Sequence, residues 1–378
     1  MCRGEVATFG TTSKETSPYL SQPSYSTTLA PLERDGEPQS VVINHELCQK
    51  PEFRHVLFGR LTDREERKLH WACVQYWAVI WLGVVAHVKG YIGTWLLYPL
   101  VVLCCLRHCV NGHHCCHLKK PLPFPFRLTG FGLFCAGFMP IAATFGDVEH
   151  QHMTVHHPQT KGVIDTDDND PHSRLSRMSL FRMVVTCFIN PGHVCMEDVF
   201  FHQLLKNPAS YWPERVATNL LHWGQLYLLY QMVGQSTFWK ILMAGHISMF
   251  VLWLFFNGLL HHVEFHRFLI AVDPSGLRRI HPLVDGLFYL ISADAWLEIK
   301  WHDIHHAMHI ANSTFGAQMA RGMTYTQIEM ACADLVDQGL YLDQVTKQPV
   351  SPLAEVGHKV GSRQAYLKAQ QEQHSKTE

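Results

Sequence analysis

The sequence predicts an all-α integral membrane protein: about four transmembrane helices, further helices lying in the interface, and a cytosolic cap rich in histidine. Three observations predict it. Apolar runs of bilayer length come in two close pairs. Basic residues gather at one end of them. The 27 histidines of the 378-residue chain fall in dense clusters.

A bilayer core needs about 20 apolar residues in a helix. Residues 71–88 and 91–106 are close to that length, and only a turn around Lys89 and Gly90 parts them. Residues 216–233 and 238–260 form a second pair across 234–237, with His222 and Gln225 making the first of them less apolar. Arg60, Arg64, Arg67 and Lys68 precede the first run, and Arg107, Lys119 and Lys120 follow the second. The turns between partners carry almost no positive charge, so both termini and the long polar segments belong in the cytosol. Residues 128–145 and 283–297 are also apolar. A full crossing by the first would split the histidines between two membrane faces. It is expected to lie in the interface or re-enter. Asp285, Asp294 and Glu298 point the second the same way.

Residues 1–50 are rich in Ser, Thr, Pro and Glu and read as a disordered tail. They show no apolar core of a secretion signal, and Glu5 and Glu15 do not suit a transit peptide. The membrane domain is expected over 51–345, with a polar tail over 346–378. A formal net charge of −1 does not suit a nucleic-acid partner. The 12 cysteines show no disulfide framework and fit a reducing compartment. Cys109, Cys115 and Cys116 among histidines also allow a zinc site, although zinc ligands usually come as separated pairs.

The histidines form four groups. The first is RHCVNGHHCCH, Arg107 to His117. There His113 and His117 stand four apart on one helix face, His108 with His113 is an alternative pair, and His114 is a spare. The second is EHQHMTVHH, Glu149 to His157, where His152 and His156 stand four apart, His157 follows, and His150 is left open. In WHDIHHAMH, His302, His305 and His306 share a face. Asn257 and His261 are again four apart, with His262 and His266 beyond. Isolated histidines such as His70, His87, His193, His202, His222 and His246 read as surface or satisfied core residues. Four spaced groups at the ends of spans read as metal ligands. Removing hydrogen from an unactivated chain calls for O2 reduced at metal, and two irons with imidazole ligands suit that need. A histidine-rich metal transporter is the competing class, but transporters place ligands inside the spans, whereas these groups lie outside them.

Residues 70–310 resemble the membrane fatty acid desaturase and hydroxylase superfamily. HHCCH resembles its HxxxH box, WHDIHHA its WHxxHHA box, and Asn257 with His261 its NxxxH element. DTDDNDPH, residues 165–172, is similar to the TDTDxDPH segment of acyl-CoA desaturases, and also reads as a polar turn. The resemblance implies short membrane helices under a cytosolic cap. It implies two iron ions held by His113, His117, His152, His156, His157, His261, His302, His305 and His306, with Asn257 binding directly or through water. It further implies O2 as co-substrate and a lipid acyl chain as substrate. Electrons would come from a separate cytochrome b5 or ferredoxin, since no HPGG signature is present; Arg278 and Arg279 could dock it. The endoplasmic reticulum is the expected compartment. Asp147, Glu149, Asp165, Asp167, Glu264, Glu298 and Asp303 could orient imidazoles, and Trp253, Phe255 and Phe256 could wall the acyl tunnel. The second box departs from HxxHH: three residues separate His152 from His156, as in bacterial alkane hydroxylases. The loop from His157 to Asp165 is long, somewhat as in sphingolipid desaturases. A lipid or alkane hydroxylase on the same scaffold is therefore the alternative to a desaturase.

Overall fold

The computed structural model describes residues 28–34, 37–118, 122–124, 126–129, 134, 142–150, 152–153, 179–189, 212–254, 271–272, 278–279, 282–307, 314–343 and 348–349. Structure begins inside the expected tail. Strands β1 (Thr28–Arg34) and β2 (Glu37–Ile43) pair antiparallel, Thr28 opposite Val42 and Arg34 opposite Glu37. Helices α1 (His45–Cys48) and α2 (Pro51–Leu57) follow, and Leu47, Cys48, Phe53 and Leu57 are core residues. Residues 28–34 and 37–48, expected inside a disordered tail, therefore carry strands and a helix. Composition hid this because β2, α1 and α2 gain partners from a segment almost 300 positions away.

Thr62 and Glu65 cap α3 (Asp63–Val88) reciprocally. The Glu65 N–H donates to the Thr62 hydroxyl, and the Thr62 N–H donates to the Glu65 carboxylate at 2.7 Å. At the far end Gly90 takes φ 76°, which an L side chain resists, and the Tyr91 N–H reaches back to the Ala86 carbonyl at 2.8 Å. The chain returns as α4 (Thr94–Cys116), packed on α3 through Ile80, Val84, Leu97, Val101 and Cys105. Short helices α5 (Phe126–Thr129), α6 (Phe145–His150) and α7 (Leu180–Ile189) come next.

Helix α8 (Trp212–Leu252) breaks at Gly234 (φ 71°, ψ 168°). Tyr230 and Phe238 touch with ring centroids 5.4 Å apart. Eight residues of straight helix would span about 12 Å, so the chain folds back here as a hairpin. Trp77 donates to Gln225 at 3.1 Å and ties the first arm to α3; Ser248 donates to the Val102 carbonyl at 3.0 Å and ties the second to α4. The first arm is inside out. Arg215, Thr218, His222 and Gln225 are buried, while Val216, Leu220, Trp223, Tyr227 and Tyr230 are 43–70% exposed.

Among the described residues α3 and α4 are long and apolar enough to cross a bilayer, which makes two such helices rather than the expected four. The first arm of α8 carries Asn219, His222, Gln225 and Gln231. The last residues of the expected fourth span lie beyond the described ones.

Strands β3 (Ala271–Val272) and β4 (Arg278–Arg279) make a small ladder before α9 (Pro282–Lys300). Helix α9 bends at Ser292: Phe288 stacks on Trp296 at 4.8 Å, and the Trp296 indole donates to Asp285 at 2.5 Å. Each half is about 15 Å long or less, half a bilayer, so this stretch does not run straight across. The stretch 128–145 lies mostly outside the described residues. Helices α10 (His302–Ala307), α11 (Phe315–Ala320) and α12 (Tyr325–Asp337) close the cap over Leu297, Trp301, Ile304, Phe315, Ile328 and Leu335. Strand β5 (Tyr341–Asp343) then joins β2, Tyr341 opposite Ile43, giving the sheet order β1-β2-β5. Asn44 locks this return, accepting nothing from it but donating its backbone N–H to Leu340 at 2.8 Å and its amide to Gly339 at 3.2 Å. The described chain is thus mostly helical, with two small sheets where an all-α fold was expected.

Lys300 is fully buried in the cap, paired with Glu329, 3.5 Å from Asp285 and 4.7 Å from the Tyr325 ring centre. Removing one partner of a buried pair costs about 3–5 kcal/mol. Glu329→Ala should lower stability by about 3 kcal/mol, Asp285 compensating in part. Thermal unfolding in detergent measures this, and an unchanged midpoint would refute the burial.

Candidate metal centre

Four imidazoles converge where the helices meet the cap. The last turn of α4 supplies His113 and presents His117 at its C-cap, four residues on. His152 follows α6 and His305 sits on α10. One ligand nitrogen from each of the four lies within 4.8 Å of the others. His117 Nε2 and His152 Nε2 are 2.9 Å apart. Two nitrogens bound at right angles to one ion, each about 2.1 Å from it, stand about 3.0 Å apart, so this separation suits a shared metal. The His113 ring centre is 5.0 Å from His117, 4.6 Å from His152 and 5.1 Å from His305. His302 stacks beside His305 at 5.7 Å but stands outside the group of four. The all-nitrogen donor set fits a transition metal such as iron or zinc better than calcium or magnesium.

Glu298, fully buried on α9, holds the group from behind. Its carboxylate lies 3.4 Å from His305 Nδ1 and 3.7 Å from His114 Nδ1, and accepts the Phe315 N–H at 2.8 Å. A carboxylate on Nδ1 fixes the ring and leaves Nε2 for metal. His114 also meets Asp294 at 3.2 Å through Nε2. His113, His114 and Glu298 form a second group able to hold an ion. Asp294 in turn pairs with Arg107, whose guanidinium also donates to Tyr76 at 3.2 Å and to Ser292. Burial raises the Glu298 carboxyl well above its ordinary value. Burial alone would raise Asp294 too, but the hydrogen bond to His114 and the Arg107 charge hold it well below the usual carboxylate range. Burial, then the neighbouring imidazoles, push His305 well below 6.5, so it is neutral and ready to bind metal at pH 7.

A separate clamp sets α6, and so His152. Arg215 chelates Asp147, with Nη2 to Oδ1 at 2.6 Å. Arg127 binds Glu214 at 2.8 Å and Glu149 at 3.4 Å, and the Glu214 carboxylate accepts the Gly146 N–H at 2.9 Å. Asp147 and Glu149 therefore serve arginines, not the imidazoles they were expected to orient.

Of the expected ligands, His113, His117, His152 and His305 meet and His302 borders them. His156, His157, Asn257 and His261 lie outside the described residues, as do the side chains of His306, His150 and Asp303 and all of Asp165, Asp167 and Glu264. Of the expected acids Glu298 touches imidazole. Asp294 and Arg107 were missed as site residues: their contact spans 187 positions and leaves no local pattern. His114, taken as a spare, is wholly buried between two carboxylates. Among the described residues no cysteine joins either group.

Glu298→Gln should lower metal affinity about 10–100-fold, read as retained metal after graded chelation, with the helical circular dichroism unchanged. A Cβ at Gly316 would overlap the His114 ring. Gly316→Ala should therefore weaken metal retention although it touches none of the four converging imidazoles; full retention would show that His114 can yield.

No known protein family, curated protein or solved structure matches the chain.

Proposed function

We propose that the protein is a membrane-bound, O2-dependent di-iron oxidoreductase that introduces a double bond into the acyl chain of a lipid. The observation that carries this reading is the convergence of His113, His117, His152 and His305 from three separate stretches of sequence. The neutral His305 and the buried Glu298 behind it suit a permanent transition-metal site. Bound iron would supply the electrons and open coordination positions needed to reduce O2. The chain's own residues set imidazole orientation through Glu298 and Asp294 and hold α6 through Arg127 and Arg215.

The inside-out first arm of α8 supports the membrane reading. A helix that buries Arg, Thr, His and Gln and exposes Leu, Trp and Tyr gains nothing in water; in lipid the same pattern is favourable. Tyr91, 82% exposed, and Trp95, 78% exposed, sit at the α3–α4 turn, where aromatic rings anchor at a membrane surface. The second iron would draw on His156, His157, His261, His302 and His306 with Asn257. We place the protein in the endoplasmic reticulum with both termini cytosolic, served by a separate cytochrome b5 or ferredoxin. The three-residue gap between His152 and His156 favours hydroxylation as the second reading.

Expression in a desaturase-poor yeast, with lipids profiled by mass spectrometry, tests this. New double bonds in the wild type and none in His305→Ala, His306→Ala are expected. Hydroxylated lipids without alkenes would move the assignment to a hydroxylase. Near-zero iron in folded protein would sink the di-iron reading.

A further inference from the structure

The buried face of α8 carries more polarity than its packing uses. Arg215, Thr218, His222 and Gln225 follow one another at spacings of three, four and three, within an arc of about 80° and over about 15 Å of helix. None is more than 6% exposed. Arg215 Nη1, Thr218 Oγ1 and Gln225 Nε2 have no hydrogen-bond partner among the described residues. Their remaining polar atoms are well placed: Arg215 binds Asp147, and Gln225 Oε1 accepts the Trp77 indole N–H. The unmet atoms of Arg215 and Gln225 thus belong to side chains whose positions are already fixed. Past Gln225 the buried face turns apolar with Leu226 and Leu229. The slot beyond Trp77, walled by Ile80, Cys105, His108 and Phe134, is too tight for a water molecule.

Buried donors left unmet are rare in native proteins, and ordered water is the usual partner. The constraint is tighter among membrane helices, where lipid offers no hydrogen bonds. We propose that this face of α8 binds a file of water molecules from the Arg215–Asp147 ion pair to Gln225, and that the file takes up water made at the metal centre. The second clause rests on the oxidation reading. There, R–CH2–CH2–R′ + O2 + 2e− + 2H+ gives R–CH=CH–R′ + 2H2O: two C–H bonds break, the O–O bond breaks, and the external donor supplies both electrons. Two waters per turnover must leave the centre, where His117 and His305 are buried. The file begins at Asp147 of α6, the helix that delivers His152.

Radiolytic hydroxyl-radical footprinting of the metal-loaded full chain in detergent tests the file without activity, because radicals form on bound water. His222 should be oxidised at least fivefold faster than Trp296 and Trp301, which are equally buried in the cap. Thr218→Val and, separately, Gln225→Leu should reduce that labelling while melting and metal content stay unchanged. His222 as silent as the two tryptophans would overturn the proposal. For its second clause, both variants at equal iron should turn over lipid at least threefold more slowly; an unchanged rate overturns that clause. A wild type that is fully metal-loaded and oxidises no lipid defeats the oxidation reading, while the footprint still decides the file.

Discussion

The carboxylate of Glu298 is the contact on which the candidate centre depends. It stands at the end of α9, faces imidazoles from α4 and α10, and caps the backbone of α11 through Phe315. Four elements thereby meet at one buried group. A buried carboxyl is costly unless its oxygens are used; here Oε1 accepts the Phe315 N–H, and Oε2 faces His305 Nδ1 at 3.4 Å. The arrangement explains why the bend at Ser292 matters. It returns the second half of α9 to the centre and sets Asp294 against Arg107 and His114.

Much of the centre was legible in sequence because its ligands come in helical pairs. His113 with His117, and His302 with His305, declare a shared face by spacing alone. What sequence could not display is which acid meets which base. Asp147 and Glu149 stand beside the second histidine group yet turn to Arg215 and Arg127. Asp294, one of three acids that only made its segment look polar, reaches back to α4. Sequence proximity is a poor guide to a carboxylate's partner, since ion pairs close in three dimensions with no periodicity.

The fold was legible to the extent that apolar runs dominate it. The α3–α4 hairpin follows from two runs and a Lys-Gly turn. The Gly234 hairpin was also foreseen, but its first arm is amphipathic in the reversed sense, so an average over the segment conceals it. The β1-β2-β5 sheet was invisible: β1 and β2 each carry a proline and no regular apolar alternation, and their third strand arrives only after α12. Asn44 belongs with them, its single side chain serving α1 as a cap and the returning chain as a clasp.

Gly316 stands so close to the His114 ring that the two share the volume one methyl group would need. Helix α11 therefore rests on α4 without an intervening side chain, at the level where α9 inserts Glu298. Loosening α11 would open a gap beside His114, and withdrawing His114 would leave α11 without a floor. Cap and helix bundle consequently have no seam between them at this point. A local opening beside the buried His114 must therefore disturb the cap itself.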